Sequence, residues 1–196
     1  MRKNFTPLFL FTLLLIFLSL VTSEIYAKSD FSYKKVREFI PNGYQIYDTA
    51  SGDFNADGYK DLLIVLKSIN ENSNSSEERP LLLLAGGAKG KLELVARNDH
   101  VVLCASCGGV FGDPYQKVSM KGEFLSVEHS VGGNWQWSRT ITFKYNSQTK
   151  EIVLHEDITK SYQTFAQDKQ KSVASNKTDF GNLPFVSYSY DKGFDR

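Results

Sequence analysis

Residues Gly52-Asp53-Phe54-Asn55-Ala56-Asp57-Gly58-Tyr59-Lys60-Asp61 followed by Leu62-Leu63-Ile64-Val65-Leu66 constrain this chain more than any other stretch. Oxygen-bearing side chains stand at positions 1, 3, 5 and 9 of a loop, as Asp53, Asn55, Asp57 and Asp61. Gly58, at position 6, permits a sharp turn because it lacks a Cβ and tolerates positive φ. Tyr59, at position 7, offers its carbonyl. This spacing lets a short loop wrap oxygens around one hard cation, and Ca²⁺ takes about six to eight oxygens at roughly 2.3–2.6 Å. The apolar run that follows at once reads as a buried strand anchoring the loop.

The helix–loop–helix form of such a site requires a bidentate Glu at position 12 and flanking helices. Position 12 here is Ile64, and its neighbours are apolar and β-prone, so that form is excluded. The stretch instead resembles the FG-GAP/VCBS type of repeat found in integrin-like β-propellers, whose D-x-N/D-x-D-G-x-x-D loop joins two strands. The resemblance spans residues 50–66 and implies Ca²⁺ held by Asp53, Asn55, Asp57, the Tyr59 carbonyl and Asp61. The alternative is a hairpin turn in which Asp and Asn accept backbone amides and hold no metal. Three carboxylates in one turn repel one another unless a cation or a basic group neutralises them, which favours the metal.

The chain opens Met1-Arg2-Lys3-Asn4 and then runs apolar from Phe5 to Val21. A basic start, an apolar core and a short polar exit make a secretory signal peptide over residues 1–27. Ile25-Tyr26-Ala27 or Val21-Thr22-Ser23 would precede the cut. The alternative is an uncleaved membrane anchor, since the run approaches the length that spans a bilayer. No cysteine lies near the segment, which excludes lipid attachment there. Removing it takes Arg2, Lys3 and Glu24 from 23 basic and 22 acidic residues, leaving 21 of each. A neutral remainder argues against a nucleic-acid partner, which calls for a basic stripe, and against a polybasic membrane patch. Residues 28–196 have the length of one ordinary domain.

Along that domain the pattern is all-β. Lys28 to Ile40 is expected as a tether or a short helix, and Pro41-Asn42-Gly43 as a turn. Tyr44 to Thr49 alternates with period two, the signature of a half-buried strand. Ser68 to Pro80 is polar and reads as a surface loop. Leu81 to Leu84 is a central strand, and Leu92 to Arg97 its hairpin partner. Asn98-Asp99 is expected to turn, with His100 to Leu103 extending again. Cys107 to Gly112 forms a glycine-rich loop. Three strands follow, over Tyr115–Met120, Phe124–His129 and Trp135–Tyr145. Ile152 to His155 returns, residues 157–178 are expected as a short helix or ordered loop, and Phe180 to Tyr190 as a closing strand. The expected fold is an antiparallel meander of eight or nine short strands, with sandwich or partial-propeller-like sheets. The Asp53 loop has no second copy, so a complete propeller, which needs several blades, is excluded.

Two further segments carry chemistry. Cys104 and Cys107 are the only cysteines, and in an exported protein a disulfide is the default. The alternatives are a redox-active pair, which usually sits at a helix N-terminus, and a zinc site completed from His100, His129 and His155. Trp135, Trp137 and Arg139 fall on one face of a strand. The two indoles either pack into the core or form an aromatic platform for a sugar or peptide, and Arg139 would stack on an indole or reach the sheet edge. His129 and His155 read as surface residues. Cys104-Ala105-Ser106-Cys107-Gly108-Gly109-Val110-Phe111-Gly112-Asp113-Pro114, taken with Gly132-Gly133-Asn134-Trp135-Gln136-Trp137, is similar to a group of exported bacterial proteins with C-x-x-C-G-G-V-F-G-D-P and G-G-S/N-x-W-x-W segments. That resemblance implies a bacterial envelope protein and brings no activity with it. The sequence carries no serine nucleophile elbow, metalloprotease helix or phosphate loop. The expectation is a periplasmic or secreted binding or assembly module with a structural Ca²⁺ and an unidentified protein or glycan partner. An envelope thiol-redox protein and a carbohydrate-binding module are the rivals.

Overall fold

A computed structural model describes residues 33–163, 166–176 and 180–190. The expected signal segment, residues 1–27, lies outside the described residues. The chain divides into a unit up to Arg37, whose described part holds a short helix at Tyr33–Val36, and a unit from Glu38 onward that contains every strand.

Among the described residues, nine strands form two antiparallel meanders. The first sheet runs β1 (Tyr44–Gly52), β2 (Asp61–Ser68), β3 (Arg79–Gly87) and β4 (Lys91–Val102) in sequence order. The second runs β5 (Tyr115–Lys121), β6 (Phe124–Gly132), β7 (Trp135–Asn146), β8 (Glu151–Gln163) and β9 (Ala166–Asn176). Neither sheet closes into a barrel, and together they make no propeller.

The patterning that makes these strands differs between the sheets. In β7 the side chains alternate strictly: Arg139, Ile141, Phe143 and Tyr145 are buried, and the intervening Thr140, Thr142 and Lys144 are half-buried. In β2 and β3 both faces are apolar, and Leu63–Leu66 and Leu81–Leu84 are all buried. The face bearing Leu63, Val65, Leu81 and Leu83 joins one core with Val118, Leu125, Val127, Ile141 and Phe143 of the second sheet. At about 25 cal/mol per Å² of apolar surface, this shared core is the main favourable contribution to the fold. The sheets also touch along β1 and β5. There the Tyr47 and Tyr115 rings lie 5.3 Å apart and the Tyr115 hydroxyl donates to Asp48 at 2.7 Å.

Three expectations are corrected. Asn98-Asp99 does not turn the chain, because β4 runs through it to Val102. The register against β3 slips there, with Leu81 opposite Asn98 but Arg79 opposite Val102. The buried Asn98 stabilises this bulge, accepting the His100 amide at 2.7 Å and donating to the carbonyls of Phe185 and Tyr188 at 2.6 and 2.8 Å. Residues 157–163 and 166–176 are strand rather than helix or loop. β8 extends to Gln163, and β9 pairs along it from Glu156–Asn176 to Gln163–Ala166. The described side chains of β9 from Lys171 to Ala174 are exposed, so the strand is held by its backbone and shows no apolar alternation. Finally, Phe180–Tyr190 adds no strand. Beyond one bridge between Pro184 and Val153 it forms a strap that buries Phe185, Tyr188 and Tyr190 in the core.

Candidate functional site

The Asp53 loop joins β1 to β2, and backbone amides fold it. The Asp53 carboxylate accepts the amides of Asp57 (3.1 Å) and Gly58 (2.9 Å). Asn55 accepts the Asp57 amide at 3.0 Å, and Asp57 accepts that of Tyr59 at 2.8 Å. Gly58 sits at φ +83, the left-handed region its position requires. Asp61 is fully buried at the base of the loop, where its two oxygens accept Phe54 N–H at 2.9 Å and Gly86 N–H at 2.8 Å. Burial raises the Asp61 pKa, the two amides oppose that rise, and the charges of Asp57 and Asp53 add to it. Phe54 is buried edge-on against Tyr145, the ring centroids 5.0 Å apart, and pins the loop to the second sheet.

The donor set suits a hard cation, since it combines three carboxylates, an amide oxygen and a backbone carbonyl. A carboxylate oxygen that accepts one amide retains a second lone pair. In the observed geometry the oxygens of Asp53, Asn55 and Asp57 face the loop's own amides, and one oxygen of Asp61 faces the Gly86 amide. Among the described residues no group of three or more acidic, histidine or cysteine side chains converges as metal ligands.

The second constellation surrounds the cysteine pair. Cys104 and Cys107 form a disulfide between β4 and β5. Distant groups fix the loop they close. The Leu103 amide donates to His129 Nε2 at 3.1 Å, and the Leu103 carbonyl accepts from Arg79 at 3.1 Å. Arg79 is 1% exposed and forks onto two carboxylates, Glu71 at 2.7 and 2.8 Å and Asp113 at 2.6 and 2.8 Å. Burial alone would lower the Arg79 pKa, but the hydrogen bonds it donates to Glu71 and Asp113 outweigh that and hold the guanidinium charged. Burial pushes Asp113 up, but Arg79 and the Tyr115 amide bring its carboxyl below the usual range.

His129 is buried rather than superficial, at 1% exposure on β6. Desolvation, aided by the nearby Arg139 charge, lowers its pKa to about 4, so the ring is neutral and accepts at Nε2. Its Nδ1 is buried with no hydrogen-bond partner.

The structure separates the residues of the tryptophan strand. Trp135 is 54% exposed at the start of β7, so the core reading fails for it. Trp137 packs partly buried against the core, 6.3 Å from Tyr190. Arg139 sits inside the sheet on β7, between β6 and β8. It is buried, forks onto Asp157 at 2.6 and 2.7 Å, and lies 4.2 Å over the Tyr190 ring. The Tyr188 hydroxyl also donates to Asp157, at 2.9 Å.

The disulfide loop and the β6–β7 turn meet through glycine. A Cβ on Gly133 would lie 2.5 Å from the Phe111 ring, and one on Gly108 would lie 2.1 Å from the Gly112 carbonyl and 2.8 Å from Val131. These contacts seat Phe111 beside the turn that carries Trp135. Val110 at 96%, Phe111 at 51% and Trp135 at 54% exposure make an apolar rim there. Neither Cys104–Gly112 nor Val131–Ser138 contains a charged residue. Sequence reasoning missed Val110 and Phe111 because no period marks a loop residue. It missed Arg79, Glu71 and Asp113 as a cluster because they lie far apart in the chain. An arginine entering an unbroken apolar run at Leu81 was the one available signal. The class these features define is a two-sheet antiparallel β domain with a disulfide-closed loop. Comparison with protein-family models, curated proteins and solved structures finds no match to this chain.

Proposed function

We propose that this protein is an exported envelope domain, periplasmic in location, that acts as a binding or assembly module rather than as an enzyme, with the Asp53 loop as a structural Ca²⁺ site of the FG-GAP/VCBS kind. The observation that carries the binding role is the rim of Val110, Phe111 and Trp135, three large apolar side chains presented on a rigid, uncharged support. Exposed aromatic anchors of this kind are where binding energy concentrates in protein interfaces. The partner that fits is a polypeptide. A sugar stacks on a flat ring and makes no use of the Val110 isopropyl group, whereas an apolar pocket on a protein accommodates it. The basic–apolar–polar opening of the sequence supports export, and a disulfide is what an oxidising compartment maintains.

A photo-crosslinking residue placed at Val110 in the protein's own envelope tests the role. A discrete polypeptide adduct is expected, lost when Phe111 and Trp135 are changed to Ser and absent when the probe is moved to Gln148. No adduct at Val110, together with retention of the protein on a neutral glycan array, would replace the polypeptide with a sugar. The calcium reading is tested by thermal melts in EDTA and in Ca²⁺. A ligand at one hundred times its Kd stabilises by about 2.7 kcal/mol, several degrees for a domain of this size.

A further inference from the structure

We infer that the Cys104–Cys107 disulfide is exchange-active and oxidises a pair of thiols in a polypeptide docked on the Val110–Phe111–Trp135 rim. The exchange chemistry goes beyond the binding role; it is stoichiometric rather than enzymatic, each molecule giving up its one disulfide, and its docking half rests on the rim described above.

The two sulfurs are not equivalent. Cys104 is 6% exposed, whereas Cys107 is an exposed residue. An incoming thiolate therefore reaches Cys107 Sγ, and the sulfur expelled is that of Cys104. The Ser106 hydroxyl lies 3.5 Å from Cys104 Sγ and supplies a hydrogen bond to the departing thiolate. The Cys104 amide lies 3.2 Å from Cys107 Sγ and points its N–H at that sulfur, ready to stabilise it when it is released in turn. Thiol–disulfide exchange depends on which sulfur is attacked, on access, and on how well the leaving thiolate is stabilised. The exposure of Cys107 and these two contacts bear on all three.

The loop does not need its sulfur bridge to keep its shape. The Cys107 amide donates to the Cys104 carbonyl at 3.1 Å, Gly109 to Ser106 at 2.9 Å, and Ser106 to the Ser75 carbonyl at 3.0 Å. Arg79 and His129 hold Leu103 just before it. Opening the bridge thus leaves the loop in place, as a reversible exchange requires. No carboxylate in Cys104–Gly112 repels the thiolates, and Asp113 is tied to Arg79.

The electron count closes on the substrate. One substrate thiolate attacks Cys107 Sγ, forms a mixed disulfide and breaks the Cys104–Cys107 bond, leaving Cys104 as a thiolate. A second substrate thiolate attacks the substrate sulfur of that mixed disulfide and releases the Cys107 thiolate. The substrate leaves as a disulfide, oxidised by two electrons. The protein keeps those electrons, and its two cysteines take up the two protons the substrate thiols lost.

Reduced glutathione at millimolar concentration is the first probe, since it needs no rim. The purified oxidised protein is expected to be reduced while its tryptophan fluorescence stays native. The Cys104→Ser variant, given oxidised glutathione instead, is expected to accumulate a glutathione adduct at Cys107, its thiolate attacking the glutathione disulfide and releasing one reduced glutathione. The Cys107→Ser variant should react at least about tenfold more slowly, because a buried thiol is poorly reactive. Reduction only in denaturant, or equal reactivity of the two variants, would overturn the exchange. Docking is read separately with peptides carrying one cysteine, supplied as its mixed disulfide with glutathione so that the Cys107 thiolate can exchange onto it, between either apolar or charged neighbours. The apolar peptide should react faster with Cys104→Ser, and adding Phe111→Ser and Trp135→Ser should erase that preference without changing the glutathione rate. Equal peptide rates would remove the rim from the inference and, with it, the support for polypeptide binding.

Discussion

The Asp53 loop and the Cys104 loop are both short, glycine-bearing connections, and they are held by opposite means. Asp53, Asn55 and Asp57 accept amides no more than five residues away, and only Asp61 reaches out of its own turn, to Gly86. The Cys104 loop is fixed by Arg79, His129, Ser75 and Asp113, and by Gly133 of a turn more than twenty residues on. A loop that ties itself is readable in the sequence and tolerates change elsewhere. A loop tied by remote groups inherits every perturbation of those groups, including their charge.

The largest expected effect breaks the second arrangement. Arg79→Met leaves Glu71 and Asp113 as buried or half-buried carboxylates without their cation, at a cost of about 3–5 kcal/mol, measurable by urea unfolding. The Asp53 loop should be unchanged in that variant if the two regions are independent.

Acid should act on the same loop. His129 has a folded pKa lowered to about 4 against about 6.5 for the unfolded chain. The unfolded state therefore takes up the proton first, and stability falls as pH drops from about 6.5 to 4, by on the order of 3 kcal/mol. His129→Asn should flatten that window in a series of melts against pH. An unchanged slope would mean that other groups set it. Asp113 works in the same direction but lower. Its depressed pKa gives stability that is present above the ordinary carboxylate range and lost as pH falls through the folded value.

For the self-tied loop, Asp61→Ala strands the Phe54 and Gly86 amides and should cost about 2–3 kcal/mol. The Cys104→Ser/Cys107→Ser pair should cost less, about 2 kcal/mol, because the ring it opens is so short. Near-native melting of that pair would agree with a bridge kept for its chemistry. Asp57→Ala, on an exposed turn, should cost under about 1 kcal/mol without Ca²⁺ and should abolish any rise in Tm that Ca²⁺ produces. A retained calcium response would move the ion elsewhere.

The contrast also explains what could be read from the residues alone. The alternation in Trp135–Tyr145 and the apolar run at Leu81–Leu84 reflect local periods, and both strands were legible. The Asp53 turn was legible because its partners are neighbours. The strand Ala166–Asn176 was not, since its pairing along β8 is a backbone matter and its described side chains meet mainly solvent. Asn98 looked like a turn former because asparagine accepts nearby amides, as it does here from His100. What makes it part of a strand is the strap about 90 residues later. Trp135 and Trp137 share a face by spacing, yet the core reaches only the second.

That strap sets the order of events when the chain is made. Asn98 donates to Phe185 and Tyr188, Arg139 donates to the Tyr190 carbonyl, and Phe185, Tyr188 and Tyr190 fill the core. A nascent chain still lacking residues 180–190 has both sheets written but a hole in its interior and two polar side chains without their carbonyls. The domain therefore locks shut only after its last strand has already emerged from the ribosome.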